Sequence, residues 1–139
     1  MSDAEFSVPL RVYIEDTDAG GIVYYVNYLK FMERARTEFM RARGFGKQYI
    51  FTHELMFVVS DARIHYRSPA RLDDELRATA CLTRLRGASL EFHQRVLRGE
   101  EPLAQADIKI ACVNRSSMQV QRIPPELGER LAAWVQQSD

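Results

Sequence analysis

The stretch 15–28, EDTDAGGIVYYVNY, holds the residues of this chain that are best suited to chemistry. Two carboxylates, Asp16 and Asp18, precede the glycines Gly20 and Gly21, and an apolar, aromatic run follows them. That run starts a helical pattern, and the first amides of a helix are unpaired and lie at the positive end of its dipole. A carboxylate next to such amides can act in two ways on a carbonyl group whose oxygen the amides hold. It can attack the carbonyl carbon itself, or it can activate a water molecule that attacks the carbon.

The two glycines permit tight packing or a positive φ, so a substrate carbonyl can approach the amides. A thioester suits this arrangement because its leaving group departs without a general acid, which an amide usually needs. The residues alone also allow a structural interpretation, in which Asp16 and Asp18 only end a strand and cap a helix.

Other kinds of site are excluded by spacing. Asp16-x-Asp18 resembles the start of a calcium loop, but Gly20 and Asn27 occupy the fifth and twelfth positions, where oxygen ligands are needed. No G-x-S-x-G hydrolase motif and no phosphate-binding glycine loop occurs. The histidines have no spacing typical of zinc ligands, so no metal or other cofactor is predicted; they are His53, His65 and His93.

The periodicity of apolar residues predicts the elements that must position this stretch. Alternation over residues 8–16 predicts a first strand. A spacing of three and four then predicts one long helix that ends at Gly44, with a buried stripe of Tyr25, Tyr28, Met32, Ala35, Phe39 and Ala42.

Four alternating runs predict further antiparallel strands, in VVSDARIHYR, ELRATACLTRLR, SLEFHQRVL and LAQADIKIACV. The first of them places Ser60, Ala62, Ile64 and Tyr66 on one face. The segment 45–56 is left unassigned. A last helix in PPELGERLAAWVQQ buries Leu127, Leu131 and either Trp134 or Val135. We therefore predict an α+β fold, with one sheet and its helices on one side.

The composition is that of one soluble domain spanning residues 1–139. Lys and Arg together number 19, as do Asp and Glu, so no positive field suited to nucleic acid is expected. Cys81 and Cys112 lie far apart in apolar runs and are expected to be reduced. No targeting or transmembrane segment is recognised, which favours the cytoplasm. The helix arginines are expected to form a solvated face; they are Arg34, Arg36, Arg41 and Arg43.

The motif D-x-D-x-x-G-x-V-x-x-x-x-Y, within residues 15–45, resembles the signature of hot-dog-fold acyl-CoA thioesterases of the 4-hydroxybenzoyl-CoA thioesterase-like group. The similarity continues through YRSPARLDDEL and RLRGASLEFHQRV, and the branch it resembles most is the Tol-Pal-associated acyl-CoA thioesterases. That branch commonly has His seven residues after the catalytic Asp, where this chain has Tyr25. The resemblance implies a sheet of about five antiparallel strands wrapped around one long central helix.

The resemblance also implies the roles of residues. Asp18 is the catalytic carboxylate, either nucleophile or base, and the Tyr25 amide polarises the thioester carbonyl. Gly20 and Gly21 shape the loop. The other expected substrate-site residues are Tyr24, Asn27, Tyr28 and, for the phosphates of coenzyme A, Arg86.

Hot-dog thioesterases usually form homodimers or homotetramers with the active site at a subunit interface, so an oligomer is expected. An alternative function is a scaffold that binds acyl carrier protein or lipid-synthesis enzymes with weak catalysis. A hot-dog dehydratase is a third interpretation, but it needs a His near the helix, and no His precedes His53. Neither the type of acyl group nor the choice between nucleophile and base follows from the sequence.

Overall fold

Five antiparallel strands form one sheet against a long helix in the computed structural model, which describes residues 5–136. The strands lie side by side in the order β1-β3-β4-β5-β2, so β1 and β2 are the two edges. The predicted α+β architecture is confirmed; the predicted domain also includes residues 1–4 and 137–139, which lie outside the described part. In chain order the elements are β1 (Phe6–Arg11), α1 (Asn27–Ala42), α2 (Lys47–Thr52), β2 (Leu55–Tyr66), β3 (Glu75–Arg86), β4 (Ser89–Arg98), β5 (Glu101–Asn114) and α3 (Pro125–Ala132).

Helix α1 packs one face against the sheet, as the spacing of its apolar residues predicts. The two ends of the predicted stripe are wrong, because Tyr25 precedes the helix and is 58% exposed, and Ala42 is exposed at its last turn. Gly44 follows with φ +90° and ends the helix as predicted. The buried residues of α1 are Tyr28, Phe31, Met32, Ala35, Phe39 and Met40.

Strand β1 is shorter than the alternation predicts. It ends at Arg11, which pairs with Glu75, the first residue of β3, so no neighbouring strand remains to continue the ladder. The chain then makes a short 3₁₀ turn over Ile14–Asp16, and Ile14 is exposed rather than buried. The segment that the sequence left unassigned contains α2.

The four later strands lie where they were predicted, and all their pairings are antiparallel. In β2 a bulge between Val59 and Asp61 interrupts the alternation, so the prediction that Ser60 shares a face with Ala62 is wrong. The Ser60 hydroxyl instead donates to the Lys109 carbonyl oxygen at 3.3 Å. The bulge leaves one inner face on β2, formed by Phe57, Val59, Ala62, Ile64 and Tyr66.

Two arginines of α1 are less exposed than a solvated face requires. Arg36 donates to the side-chain oxygen of Gln94 at 2.9 Å, and burial lowers the pKa of Arg36. Gln94 is fully buried and donates in turn to the Met32 and Thr79 carbonyl oxygens, which joins helix to sheet. The prediction of a solvent-exposed arginine face is therefore wrong at Arg36. It is also wrong at Arg43, whose guanidinium packs against aromatic rings.

Helix α3 closes one end of the core with Leu127 and Leu131, as predicted. Trp134 is exposed on one side, and its ring lies 3.9 Å from the Arg43 guanidinium, which also covers the Phe39 ring at 3.8 Å. Val135, the alternative in the prediction, packs against the core.

Cys112 is buried, Cys81 is partly exposed, and both are free thiols. Within residues 5–136, no helix is long and apolar enough to cross a membrane.

Candidate active site

The acidic loop between β1 and α1 is a short hairpin closed by a bridge between Thr17 and Val23. Inside it, the Asp18 amide donates to the Ile22 carbonyl oxygen at 2.9 Å. Gly21 adopts φ +82°, a left-handed conformation that costs an L-residue roughly 1–2 kcal/mol. At Gly21, the left-handed conformation is the physical basis for the predicted role of the glycines in shaping the loop.

The Asp18 carboxylate is exposed, and one of its oxygens is held. Oδ1 accepts the Gly20 amide at 2.8 Å, while Oδ2 has no hydrogen-bond partner in the part of the chain that the structure describes. A carboxylate fixed through one oxygen keeps the other available for attack or for a proton. Asp18 is therefore an exposed carboxylate with one oxygen held by the loop backbone.

Asp16 has a different environment, although it is only two residues away. Its Oδ2 accepts the Tyr13 amide at 2.9 Å, across the 3₁₀ turn. Its carbonyl oxygen accepts the Tyr24 amide and the Asn27 side-chain amide, both at 2.9 Å. Asp16 thus joins the end of β1 to the start of α1, but neither aspartate caps that helix, whose N-cap is Val26 with no side-chain cap hydrogen bond.

The start of α1 offers two amides without acceptors. No described residue accepts the N–H of Tyr25 or of Val26, whereas the Asn27 amide donates to the Tyr24 carbonyl oxygen at 2.8 Å. Free amides at the positive end of a helix dipole stabilise an oxyanion. The amide that the sequence assigned to this role, that of Tyr25, is therefore available.

Asn27 and Tyr28 lie beneath the loop. The Asn27 side chain holds the Asp16 carbonyl oxygen, as described above. Tyr28 is 3% exposed, and its hydroxyl oxygen accepts the Ala70 amide at 2.9 Å. Burial raises the pKa of Tyr28, so its hydroxyl stays neutral. Both side chains support the loop from below.

The segment before β3 also contacts this loop. The sequence predicted only a turn in that segment and not its contact with the loop. The Val23 amide donates to the Ala70 carbonyl oxygen at 2.8 Å, and the Leu72 amide donates to the Gly21 carbonyl oxygen at 3.4 Å. A bridge also pairs Ile22 with Arg71. No motif could have shown this contact, because it joins residues about fifty positions apart in the chain.

An ion pair fixes this supporting segment. Arg98 donates to the Asp74 carboxylate at 2.7 Å and to the Glu101 carboxylate at 3.1 Å. Burial acts to raise the pKa of Asp74, but the Arg71 amide and the Arg98 guanidinium outweigh it and hold that pKa below its usual value. Asp74 is therefore ionised at neutral pH, and its ion pair with Arg98 holds the segment that contacts the loop.

Tyrosine rings surround the start of α1. Tyr24 and Tyr25 are exposed, with ring centroids 5.1 Å apart, and the Tyr25 ring meets that of Tyr66 edge to face at 5.9 Å. The Tyr66 hydroxyl donates to the Tyr25 carbonyl oxygen at 3.1 Å. Sequence reasoning missed Tyr66 as a site residue, although it is the first residue of the similar stretch YRSPARLDDEL.

A groove of about 900 Å³ starts at Val26 and Leu29, next to these tyrosines. It runs between α1 and the inner face of β2, past Met40 and Val59 to Phe51. Most of its exposed wall is apolar, which suits an acyl group, and charged side chains line it too, among them Lys30, Glu33 and Arg36. The free amides of α1 thus lie at one end of an apolar groove.

Arg86 is not near this loop within one chain. The loop is attached at the start of β3, through Ala70 and Arg71, whereas Arg86 is the last residue of β3. Eleven residue steps along a strand amount to roughly 36 Å. The structure therefore brings together Asp18, Gly20, Gly21, Tyr24, Tyr25, Asn27 and Tyr28, and leaves Arg86 at the opposite end of the sheet.

The histidines lie elsewhere. His93 Nδ1 is 3.0 Å from Asp107 on the outer face of the sheet, His65 is exposed on β2, and His53 follows α2. Among residues 5–136, no group of three or more His, Cys, Asp or Glu side chains is arranged to hold a metal ion.

Known proteins resemble this chain over nearly its whole length. The family model of the Thioesterase-like superfamily matches residues 12–131. The acyl-CoA thioesterase YbgC of Haemophilus influenzae is 43% identical over 128 residues, which cover 91% of this chain and 94% of that protein. The acyl-CoA thioester hydrolase YbgC of Escherichia coli is 41% identical over 128 residues, which cover 91% of this chain and 96% of that protein. The crystal structure of a probable thioesterase from Bartonella henselae has a TM-score of 0.83 at 36% identity, covering 87% of this chain and 100% of that one.

Proposed function

The chain belongs to the thioesterase-like superfamily and is an acyl-CoA thioester hydrolase like its YbgC relatives, and from this premise we propose that Asp18 and the Tyr25 amide carry out the hydrolysis. The products are a free acid and coenzyme A. One observation supports this assignment above others. The free oxygen of Asp18 and the free amide of Tyr25 belong to one hydrogen-bonded loop, at the end of an apolar groove.

The Tyr25 amide donates to the thioester carbonyl oxygen, on which negative charge develops as the tetrahedral intermediate forms. In one route, Asp18 attacks the carbonyl carbon, the C–S bond breaks with its electron pair on sulfur, and water hydrolyses the mixed anhydride. In the other route, Asp18 takes a proton from water as the water oxygen attacks the same carbon. Either route consumes one water and is redox-neutral.

The leaving group explains why two groups suffice. A thiol has a pKa of about 8.5, so the thiolate departs at neutral pH with little need for a proton. The site accordingly needs no His at position 25. The Tyr25 side chain, 58% exposed, forms part of the aromatic wall, while its backbone does the chemistry.

We further propose a homodimer in which two β2 strands pair antiparallel. Strand β2 is a 12-residue edge strand, and unpaired edges of this length are sites of strand pairing. Its inner face exposes Val59 and Tyr66, which supports burial against a second copy. Antiparallel pairing reverses the ends of the sheet, so Arg86 at the end of β3 in one copy lies on the same side of the dimer as the Asp18 loop of the other.

Arg86 of the second copy then lies about four strand spacings, roughly 19 Å, from Tyr66 of the first. Coenzyme A is extended, with its thioester at one end and its phosphates at the other. An arginine at such a distance can therefore bind the phosphates while the thioester is at Asp18. This places the expected role of Arg86 across the subunit interface.

The experiment that tests the function is thiol release from short-chain, long-chain and aromatic acyl-CoAs, by wild type and Asp18→Asn in parallel. Turnover that depends on Asp18 is the expected result and also identifies the acyl class. Folded wild type that hydrolyses no thioester in the panel would contradict the proposal, and would favour a scaffold that binds acyl carrier protein.

Mixed subunits test the role of Arg86. Arg86→Ala is expected to raise KM, and Asp18→Asn to abolish turnover. Unfolding and refolding the two variants together creates interfaces with intact Asp18 in one copy and intact Arg86 in the other. A return of turnover with the wild-type KM is expected, and mixtures that keep the high KM would contradict an Arg86 acting across the interface.

A further inference from the structure

The two free amides at the start of α1 belong to peptide groups whose carbonyls are both anchored. The N–H of Tyr25 shares its peptide with the carbonyl of Tyr24, which accepts the Asn27 amide at 2.8 Å. The N–H of Val26 shares its peptide with the carbonyl of Tyr25, which accepts the Tyr66 hydroxyl at 3.1 Å. Because a trans peptide is planar, its carbonyl and N–H point in opposite directions, and fixing one fixes the other.

We propose that the Val26 amide is a second oxyanion donor beside that of Tyr25, and that Tyr66 is the positioning residue that holds it. The inference rests on the proposed hydrolysis at Asp18. Val26 has helical dihedrals, φ −65° and ψ −26°, at the N-cap of α1. The Tyr24 and Tyr25 carbonyls both accept from residues further along the chain, Asn27 and Tyr28, so the N–H groups of the same two planar peptides both point away from the helix body.

Tyr66 supplies the shorter of two hydrogen bonds to the Tyr25 carbonyl oxygen. The only other donor to the Tyr25 carbonyl among the described residues is the Tyr28 amide, at the longer distance of 3.3 Å. A donor on a carbonyl also polarises the peptide, which makes its N–H a better donor. Tyr66 therefore both aims the Val26 amide and strengthens it.

The Tyr66 ring is itself held in place. It packs against the Tyr25 ring at 5.9 Å and against the Tyr28 ring at 5.5 Å, and Tyr28 is buried in the core. Burial raises the pKa of Tyr66, so its hydroxyl remains a donor throughout the neutral range. Since Tyr66 is the last residue of β2, the edge strand of the sheet reaches the oxyanion site through this one hydroxyl.

Two variants test the proposal on the most active acyl-CoA. Tyr66→Phe removes the hydroxyl and keeps the ring, so kcat should fall about tenfold with KM within about twofold, because the donor acts mainly on the developing oxyanion. Val26→Pro removes the N–H, which has no acceptor among the described residues, at a φ that proline adopts, and should lower kcat about 100-fold. Tyr49→Phe, whose ring contacts Phe45 and His53 rather than the tyrosines of the site, is the matched control.

The double variant decides how Tyr66 acts. If Tyr66 works through the Val26 amide, Tyr66→Phe should cost nothing further in the Val26→Pro background. Additive losses, or a wild-type kcat for Tyr66→Phe, would overturn the proposal. If thermal unfolding shows that Val26→Pro does not fold, the split between kcat and KM in Tyr66→Phe decides alone. A wild type without thioesterase activity would instead overturn the function proposed for Asp18.

Discussion

Alanine at each of the two loop glycines should separate catalysis from stability. A Cβ on Gly20 would lie 3.3 Å from Asp18 Oδ1, closer than ordinary contacts, so the carboxylate has to move by a few tenths of an ångström. A Cβ on Gly21 meets nothing within 4 Å, but the residue has φ +82°. The first substitution therefore displaces the Asp18 carboxylate, and the second strains the backbone.

The magnitudes follow from these two facts. A displacement of about 1 Å can cost roughly 100-fold in rate, so Gly20→Ala should lower kcat about three- to tenfold. Gly21→Ala costs about 1–2 kcal/mol in left-handed strain, less about 0.4–1 kcal/mol regained from the stiffer unfolded chain. The net loss of about 1 kcal/mol corresponds to a Tm lower by about 3–4 °C for a domain of this size.

The assay combines thiol release with thermal unfolding monitored by circular dichroism. Gly20→Ala should keep its Tm within about 2 °C of wild type, because alanine is compatible with its backbone and the contact is with an exposed side chain that can shift by a few tenths of an ångström. A Gly20→Ala variant with full kcat would refute the idea that this contact sets the position of Asp18. An unchanged Tm in Gly21→Ala would refute the strain argument.

Three further predictions concern the elements that support the site. Gln94→Leu should lower the free energy of unfolding by about 3 kcal/mol in urea titrations, because two buried carbonyls lose their donor and a guanidinium its acceptor. Arg43→Gln should cost about 1–2 kcal/mol in the same assay, since the guanidinium lies over three aromatic rings, those of Phe6, Phe39 and Trp134. Because the pKa of Asp74 is lowered in the folded state, its contribution is present above its usual pKa and is lost as pH falls through the lower folded value. Asp74→Asn should therefore be less stable at neutral pH, and its stability should decline less steeply between about pH 5 and pH 2.

Local patterns predicted most of the fold. Alternation located β3, β4 and β5, because these strands have one face on the core, and the spacing of α1 identified its buried face. The prediction failed where long-range pairing decides the structure. Strand β1 ends where its neighbour begins, and the bulge in β2 depends on its register with β5.

The site was predictable only in part. The spacing of Asp18, Gly21 and Tyr25 indicated a carboxylate before a helix start, and the structure supplies the free oxygen and free amides that this chemistry needs. Tyr66 and Ala70 could not be identified, because their contacts with the loop are a hydroxyl and a backbone carbonyl from distant segments. Such contacts leave no local pattern in a sequence.

The most direct test compares thiol release by Asp18→Asn and Asp16→Asn on the same acyl-CoA. The two aspartates have the same chemistry and nearly the same position, and each accepts a backbone amide through one carboxylate oxygen, but Asp18 is exposed in the glycine loop whereas Asp16 is half-buried at the 3₁₀ turn. Asp18→Asn should lose at least about 100-fold in kcat, as expected for removal of a general base or nucleophile. Asp16→Asn should stay within about tenfold of wild type. Equal losses in the two variants, or a folded Asp18→Asn with more than about a tenth of wild-type activity, would contradict the assignment of Asp18.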